Sequence, residues 1–238
     1  MENKTSKKRL DRLLSNLGYC SRGQVPGLIR AEVVARVDGM KLRADDRVVA
    51  DEVRFDGEAL DVEQLYIMLH KPAGYVCTHS ESEGETVFKL LPERFLARNP
   101  PLCCIGRLDQ DTTGLLLLTD DGSFLHRVTS PRGQVPKRYE VALERAVRGD
   151  EKALFEAGGL MLEDERTPLL PVEVLVRDSH HVELILHEGR YHQVKRMWEQ
   201  MGNKVVALHR STVGALTLTG LAEGQWRPLR EEETALFA

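Results

Sequence analysis

A run of short apolar segments beyond residue 63, with few helical patterns between them, is the feature that most constrains the fold. The predicted strands are Tyr66–Leu69, Leu115–Thr119, Arg138–Leu143, Val172–Val176, His181–Leu186, Val205–His209 and Ala215–Leu218. The predicted helices are Asp121–Thr129, Asp150–Glu156 and Tyr191–Met201. Strands that follow one another with few helices between them pair mainly with antiparallel neighbours. The pattern therefore predicts an α+β fold with a mixed, mostly antiparallel sheet.

The first sixty residues have a different pattern and predict a separate small domain. In "RLDRLLSNLGY" the leucines 10, 13, 14 and 17 fall on one helical face, and Gly18 is well placed to end the helix. A second helix is predicted from Ser21 to Ile29, although it contains Pro26. We therefore predict two domains, residues 1–62 and 63–238.

The distribution of charge is more informative than its sum. The net charge of −4 argues against nucleic-acid binding, but basic residues gather in residues 1–30, including Arg9, Arg12 and Arg22. Local basic patches determine where phosphates bind, although any single patch can also be an ordinary solvated face. The apolar runs are too short to span a bilayer, and four cysteines without a C-x-x-C pair fit a reduced, cytoplasmic setting.

The acidic stretch "GRLDQDTTGLLLLTDDG" contains four carboxylates that are candidate metal ligands. D-x-D-x-T is the nucleophile motif of Mg²⁺-dependent haloacid-dehalogenase phosphatases, but Gly106 and Arg107 interrupt the strand that should precede it. The paired histidines 180 and 181 would diverge on a strand, and the other histidines lack convergent acidic or thiolate partners. We predict no metal.

Asp109 can also be considered as a single reactive carboxylate. A loop at a strand edge can point one acid into a cleft, where cationic partners keep it ionised. The candidates for such partners are Arg107, Arg190, Lys195 and Arg196. Spacing alone favours the alternative, in which Asp109 caps a turn before Asp-Thr-Thr-Gly.

Four ordered motifs resemble those of the RsuA-type family of RNA pseudouridine synthases. They are "LHKPAGYVCT", "GRLDQDTTGLLLLTDDG", "PKRYEVAL" and "EGRYHQVKRM". The Tyr-His-Gln-Val-Lys form of the last is most similar to the branch that modifies small-subunit (16S) rRNA. The N-terminal unit resembles the S-four-like (alpha-L) RNA-binding domain of such enzymes, with a looser match. The resemblance covers nearly the whole chain and implies a pseudouridine synthase catalytic domain.

The resemblance also implies a role for individual residues. Asp109 matches the catalytic Asp of Gly-Arg-Leu-Asp, Tyr139 the tyrosine that stacks on the flipped base, and Lys195 the cation that pairs with the Asp. Without the resemblance, Tyr139 would be interpreted as a core aromatic residue. Arg107 is expected either to occupy the position in the RNA stack that the flipped base has left or to bind a phosphate. RNA contacts are further expected from Arg190, Arg196, Arg9, Arg12 and Arg22.

The resulting hypothesis is isomerisation of one uridine in 16S rRNA, either free or in an assembly intermediate with ribosomal proteins. The reaction requires no cofactor, and we expect a cytoplasmic monomer with no membrane partner. Covalent attack and elimination to a glycal stay open as mechanisms. The alternatives are a large-subunit rRNA enzyme of the same family, a non-catalytic RNA-binding protein and the Mg²⁺-dependent phosphatase. A chelator would stop only the phosphatase.

Overall fold

The structure is a computed structural model that describes residues 7–130 and 133–237. The first six residues of the predicted N-terminal domain therefore lie outside the described part. Its contacts divide the chain into two compact units. One is formed from Met1–Leu65 and Leu91–Cys103, and the other from Tyr66–Leu90 and Cys104–Ala238.

The first unit is a small helical and β-hairpin domain. Its elements are β1 (Lys8–Arg9), α1 (Leu10–Asn16), α2 (Val25–Arg30), β2 (Val34–Arg36), β3 (Arg47–Val48), β4 (Val53–Phe55), β5 (Glu58–Ala59) and α3 (Glu93–Leu96). The leucine face of α1 is buried as predicted, and Gly18 follows the helix with a φ of +82°. The prediction for the second helix was wrong at its start, because α2 begins at Val25 and places Pro26 in its first turn. Proline has no backbone N–H. This is tolerated in the first turn, because N–H groups there make no hydrogen bond within the helix.

The segment Leu91–Cys103 belongs to the first unit although it lies between strands of the second. Arg94 Nε is 2.6 Å from Asp61 Oδ2, and Arg98 donates to the carbonyl oxygens of Val62 and Glu63. The predicted boundary after residue 62 does not include this returning segment. Its contacts are made by polar side chains over more than thirty residues of sequence, which hydrophobic periodicity does not detect.

The second unit is built on a nine-stranded sheet. Its strands are β6 (Tyr66–Lys71), β7 (Cys103–Ile105), β8 (Thr113–Thr119), β9 (Lys137–Leu143), β10 (Glu173–Val176), β11 (His181–Leu186), β12 (Val205–Val213), β13 (Leu216–Thr217) and β14 (Trp226–Pro228). Its helices are α4 (Gly122–Thr129), α5 (Asp150–Ala157), α6 (Gln193–Gln200) and α7 (Glu231–Ala235).

The sheet has the order β10-β11-β9-β12-β8-β6-β14, with β13 beside β12 and β7 beside β8. β12 and β8 are parallel, and the other five pairs along this path are antiparallel. The predicted α+β fold with a mixed, mostly antiparallel sheet is confirmed. No helix within the described ranges is long and apolar enough to cross a membrane.

The helix predicted from Asp121 is confirmed, with its first residue at Gly122. Asp121 precedes α4, and its carboxylate accepts a hydrogen bond from the backbone N–H of Ser123 at 2.9 Å. The same carboxylate accepts a hydrogen bond from the hydroxyl of Tyr66 at 2.9 Å. Asp121 is thus occupied in joining α4 to β6, which separates it from the acids at the other end of β8.

Candidate active site

A cleft of about 370 Å³ opens on the second unit, and Asp109 lines it. The loop that holds Asp109 connects β7 to β8, and Thr112 N–H donates to the Asp109 carbonyl to close its turn. The buried Lys71 supports the loop from behind, since its ammonium group donates to the carbonyl oxygens of Gln110 and Thr112 at 3.2 and 2.8 Å. The Asp109 side chain is 24 % exposed, so it is accessible from the cleft.

Two cationic or ionisable side chains of the α6 region hold the Asp109 carboxylate. Lys195 Nζ lies 3.1 Å from Asp109 Oδ2 and 2.6 Å from Asp111 Oδ1. Burial lowers the pKa of Lys195, but its hydrogen bonds to the two carboxylates outweigh burial and raise the pKa above its ordinary value. His192 Nε2 lies 3.3 Å from Asp109 Oδ1. One carboxylate oxygen therefore faces Lys195 and the other faces His192.

His192 was not among the predicted site residues, and its backbone is unusual. It lies immediately before α6 with a φ of +48°, a region that residues other than glycine adopt rarely and at a cost. Its ring stacks on the exposed ring of Tyr191, with centroids 3.8 Å apart. The sequence analysis considered His192 only as a metal ligand and rejected it for lack of convergent partners. Its contact with Asp109 was missed because the two residues are 83 positions apart in the sequence.

The wall opposite this loop is formed by β9 and β12. Tyr139 of β9 lines the cleft and is 9 % exposed. Arg210 of β12 lies directly opposite it in the strand register, and its guanidinium donates to the Tyr139 hydroxyl at 3.5 Å. Lys137, two residues before Tyr139 on the same strand, also lines the cleft. Neither Arg210 nor Lys137 was among the predicted site residues: a buried arginine has no distinctive spacing, and Lys137 lies in the motif "PKRYEVAL" but was given no role.

The three arginines predicted near Asp109 lie in different environments. Arg107 is exposed at the cleft, and its side chain makes no hydrogen bond or ion pair with any residue of the described part of the chain. In contrast, Arg190 donates to Glu188, Glu165 and the carbonyl oxygens of Thr167 and Pro168.

Arg196 likewise donates to Glu165 and to the carbonyl oxygens of Tyr191 and Glu163. The guanidinium groups of Arg190 and Arg196 are thus occupied by partners within the protein. Their contacts fix the loop that carries His192, and few of their donors are left to meet RNA.

In the first unit, basic side chains line a separate shallow groove. They are Lys7, Lys8, Arg9, Arg12 and Arg47, together with Asn16. Asp11 accepts hydrogen bonds from Arg9 and, outside the groove, from Arg22, and these bonds lower the pKa of Asp11 to about 2. Arg12 is exposed and makes no side-chain hydrogen bond or ion pair that involves the described residues.

A metal would need several convergent ligands. Within residues 7–130 and 133–237, no three His, Cys, Asp or Glu side chains form a group that could hold a metal ion. The four acids of "DQDTTGLLLLTDD" are divided between the two ends of β8, where Asp109 and Asp111 meet Lys195 and Asp121 caps α4.

Comparison with known proteins gives consistent matches along the chain. The sequence model of the family described as RNA pseudouridylate synthase matches residues 65–200. The chain is 43 % identical over 232 residues to the ribosomal small subunit pseudouridine synthase A of Yersinia pestis, covering 95 % of this chain and 97 % of that protein. It is 41 % identical over 221 residues to the protein of the same name from Escherichia coli K12, covering 88 % and 94 %. A crystal structure of a pseudouridylate synthase superposes with a TM-score of 0.68 at 37 % identity, covering 97 % of this chain and 99 % of that one.

Proposed function

The chain belongs to the RNA pseudouridylate synthase family, and we propose that it isomerises one uridine of small-subunit (16S) rRNA to pseudouridine, with Asp109 as the reacting carboxylate. The observation that carries the proposal is the position of Asp109 in a cleft between Lys195, His192 and the wall containing Tyr139. The choice of 16S rRNA rests on the names of the relatives that match nearly the full length of the chain. The same names favour it over a large-subunit substrate.

The reaction needs one carboxylate that is ionised and accessible. In either mechanism, C1′ of the ribose separates from N1 of uracil, the base turns, and C5 bonds to C1′. Asp109 either bonds to the nucleotide or removes a ribose proton, and both steps require the anion. Lys195 places a positive charge 3.1 Å from the Asp109 carboxylate, which orients it. Its second partner, Asp111, holds the lysine in place.

The rest of the cleft suits a nucleotide that has left its stack. Removing a base from a helix costs a few kcal/mol, which contacts to the flipped base and to the vacated position have to offset. Tyr139 offers an aromatic surface beside Asp109 in the same cleft. Arg107, exposed and without an intramolecular partner in the described ranges, is the residue that we assign to the vacated stack or a neighbouring phosphate. We also propose that the protein acts as a monomer, because the cleft is lined by one chain.

The proposal is tested by comparing pseudouridines in rRNA from cells with and without this protein. We expect one 16S position to lose its pseudouridine and to regain it when the wild-type gene is restored. In vitro, the purified protein should form pseudouridine in free 16S rRNA or in 16S rRNA carrying ribosomal proteins, and the better substrate identifies the stage of assembly. An unchanged 16S profile with a lost 23S position would contradict the choice of substrate and leave the chemistry intact.

We further propose that the first unit is an S-four-like RNA-binding domain that contacts rRNA phosphates through its basic groove. Four cationic side chains from β1, α1 and the segment before them meet Arg47 of β3 in this groove. Asp11 holds Arg9 and Arg22 close to each other, because both guanidinium groups pair with its carboxylate. Such a surface binds phosphates with little regard to base sequence.

Replacing Arg12 by Ala should weaken binding to a 16S rRNA fragment by several-fold and make it less sensitive to salt. Each lost phosphate contact lowers the slope of log Kd against log salt by about 1. The measurement is a salt titration of affinity for wild type and variant. Arg43→Ala is the matched control, because Arg43 is an exposed arginine of the same unit that lies outside the groove and faces Asp45. Equal slopes for wild type and Arg12→Ala would contradict the docking surface.

A further inference from the structure

The wall of the cleft formed by β9 and β12 carries two positive charges that the fold does not neutralise. Lys137 and Tyr139 are two residues apart on β9 and therefore share one face of the sheet, and Arg210 is opposite Tyr139 on β12. All three line the cleft with Asp109. Arg210 is 1 % exposed, so its charge is held inside the protein.

Neither cation has a carboxylate partner within 4 Å in the part of the chain that the structure describes. Lys137 Nζ donates to the carbonyl oxygen of Val135 at 2.9 Å. Arg210 donates to the carbonyl oxygens of Leu115 and Gly106, at 2.8 and 3.4 Å, and to the Tyr139 hydroxyl. These acceptors are neutral. Burial and the nearby Arg210 charge together lower the pKa of Lys137 to about 8, which shows how poorly its charge is compensated.

Other buried or half-buried cations of the second unit have carboxylate partners or use all their N–H donors within the fold. The half-buried arginines 190 and 196 share Glu165, and Arg227 pairs with Glu233 at 2.7 Å. Lys71 is fully buried without a carboxylate partner, but three backbone carbonyl oxygens use its three N–H donors and it does not line the cleft. Lys137, which does line the cleft, donates to one carbonyl oxygen only among the described residues. A buried charge without a partner of opposite charge destabilises the fold. The presence of two such cations beside a reactive carboxylate therefore points to an anion that forms there during the reaction.

The proposed reaction forms such an anion at this place. When the C1′–N1 bond breaks, its electron pair stays with the uracil, and the charge spreads over N1, O2 and O4. Asp109 meanwhile bonds to the sugar or takes up its proton. C5 then bonds to C1′ as the bond between Asp109 and the sugar breaks or, in the elimination route, as Asp109 returns its proton to C2′. A proton leaves C5 and one is taken up at N1, so the product is an isomer of the substrate and Asp109 is regenerated. The detached uracil is anionic between these two events.

We propose that Lys137 and Arg210 form an anion site that stabilises the detached uracil, with Tyr139 as the surface on which it turns. The inference rests on the proposed function. Both cations are fixed in position before the substrate arrives, so their charges need no rearrangement as the negative charge develops. A backbone phosphate is the other anion of the substrate, but Arg210 is buried in the wall of the cleft, whereas the exposed Arg107 is accessible from outside.

The test is a comparison of single-turnover rate and RNA affinity in Lys137→Met and Lys137→Arg. We expect Lys137→Met to slow pseudouridine formation by about 100-fold while changing the Kd for the RNA by less than about threefold, and Lys137→Arg to recover most of the rate. Arg138→Met is the matched control: the next residue of β9 points to the other face of the sheet, where it pairs with Glu183 at 3.0 Å. Thermal unfolding shows whether each variant is folded.

A substrate with a better leaving group separates charge stabilisation from other roles of Lys137. A 5-fluoro substituent on the target uridine withdraws electrons, so the detached base needs less stabilisation. The rate defect of Lys137→Met, measured as consumption of the target nucleotide, should therefore be smaller with 5-fluorouridine than with uridine. An equal defect with both substrates would overturn the inference, and so would a loss of affinity that matches the loss of rate, which would indicate a phosphate contact. If the wild-type protein forms no pseudouridine, the proposed function itself fails.

Discussion

Replacing Asp109 by Asn should abolish pseudouridine formation and leave the binding of 16S rRNA nearly unchanged. The amide neither attacks C1′ nor accepts a ribose proton, so both candidate mechanisms lose their first step. Loss of the reacting group of an enzyme costs on the order of 10⁴-fold or more in rate. The side chain keeps its size, and Lys195 keeps Asp111 as a partner at 2.6 Å, so the loop has no reason to unfold. The measurement is pseudouridine formed per RNA under single-turnover conditions, beside the Kd.

Asp111→Asn is the matched control for this experiment. Asp111 lies in the same loop and contacts the same lysine, but its side chain is 72 % exposed and faces solvent. We expect its rate to fall by no more than about tenfold, since Lys195 retains the Asp109 carboxylate as a partner. Activity of Asp109→Asn comparable to that of Asp111→Asn would contradict the assignment of Asp109 as the reacting group. Loss of RNA binding by Asp109→Asn would indicate that the residue acts in docking.

Seven of the nine strands of the sheet were predicted because they are short and apolar, whereas β7 (Cys103–Ile105) and β14 (Trp226–Pro228) were not predicted. The run Leu115–Leu118 is fully buried in the interior strand β8, between β12 and β6, where apolar character on both faces is required. Element ends were less accurate: α6 spans Gln193–Gln200 where Tyr191–Met201 was expected, because the left-handed backbone of His192 delays the helix start. β12 extends to Val213, four residues beyond the prediction, because its pairing with β9 continues past Arg210 through a register shift.

Some residues of the candidate site lie in short sequence motifs, whereas others are brought to the site only by contacts between distant parts of the chain. Asp109, Tyr139 and Lys195 could be selected through a family resemblance, since each lies in a short motif. The contact of Lys195 with both Asp109 and Asp111 joins residues 84 or more positions apart, so no spacing rule yields it. Arg210 and His192 lie next to Tyr139 and Asp109 only after β12 pairs with β9 and the loop before α6 folds back. Physical reasoning on the sequence alone would have left Asp109 as a turn residue.

Replacing Gly114 by Ala should destabilise the second unit and disable the active site together. Gly114 lies in β8 between Lys71 on β6 and Arg210 on β12. An added Cβ would lie 2.3 Å from the Arg210 carbonyl oxygen and 2.6 Å from its backbone nitrogen, and the φ of +118° already disfavours any side chain. Backbone atoms of a paired strand can yield only if the strands separate. Overpacking and the backbone conformation together should cost about 3 kcal/mol or more. For a chain of this size that lowers Tm by about 6–12 °C.

Gly220→Ala separates the backbone cost from the steric one. Gly220 has a φ of +76° in the same unit, but an added Cβ would meet no described atom within 4 Å. We expect the free energy of unfolding of this variant to be lower by about 1 kcal/mol and its activity to be unchanged. In Gly114→Ala, the strand shift should also move the Arg210 guanidinium away from Tyr139. Activity measured well below the Tm of this variant should therefore fall by about tenfold or more, whereas Gly220→Ala should match the wild type. Equal melting temperatures for the two variants would show that β12 and β8 do not approach as closely as the structure places them. A destabilised but fully active Gly114→Ala would instead show that the position of Arg210 does not matter for the reaction, which bears directly on the anion site.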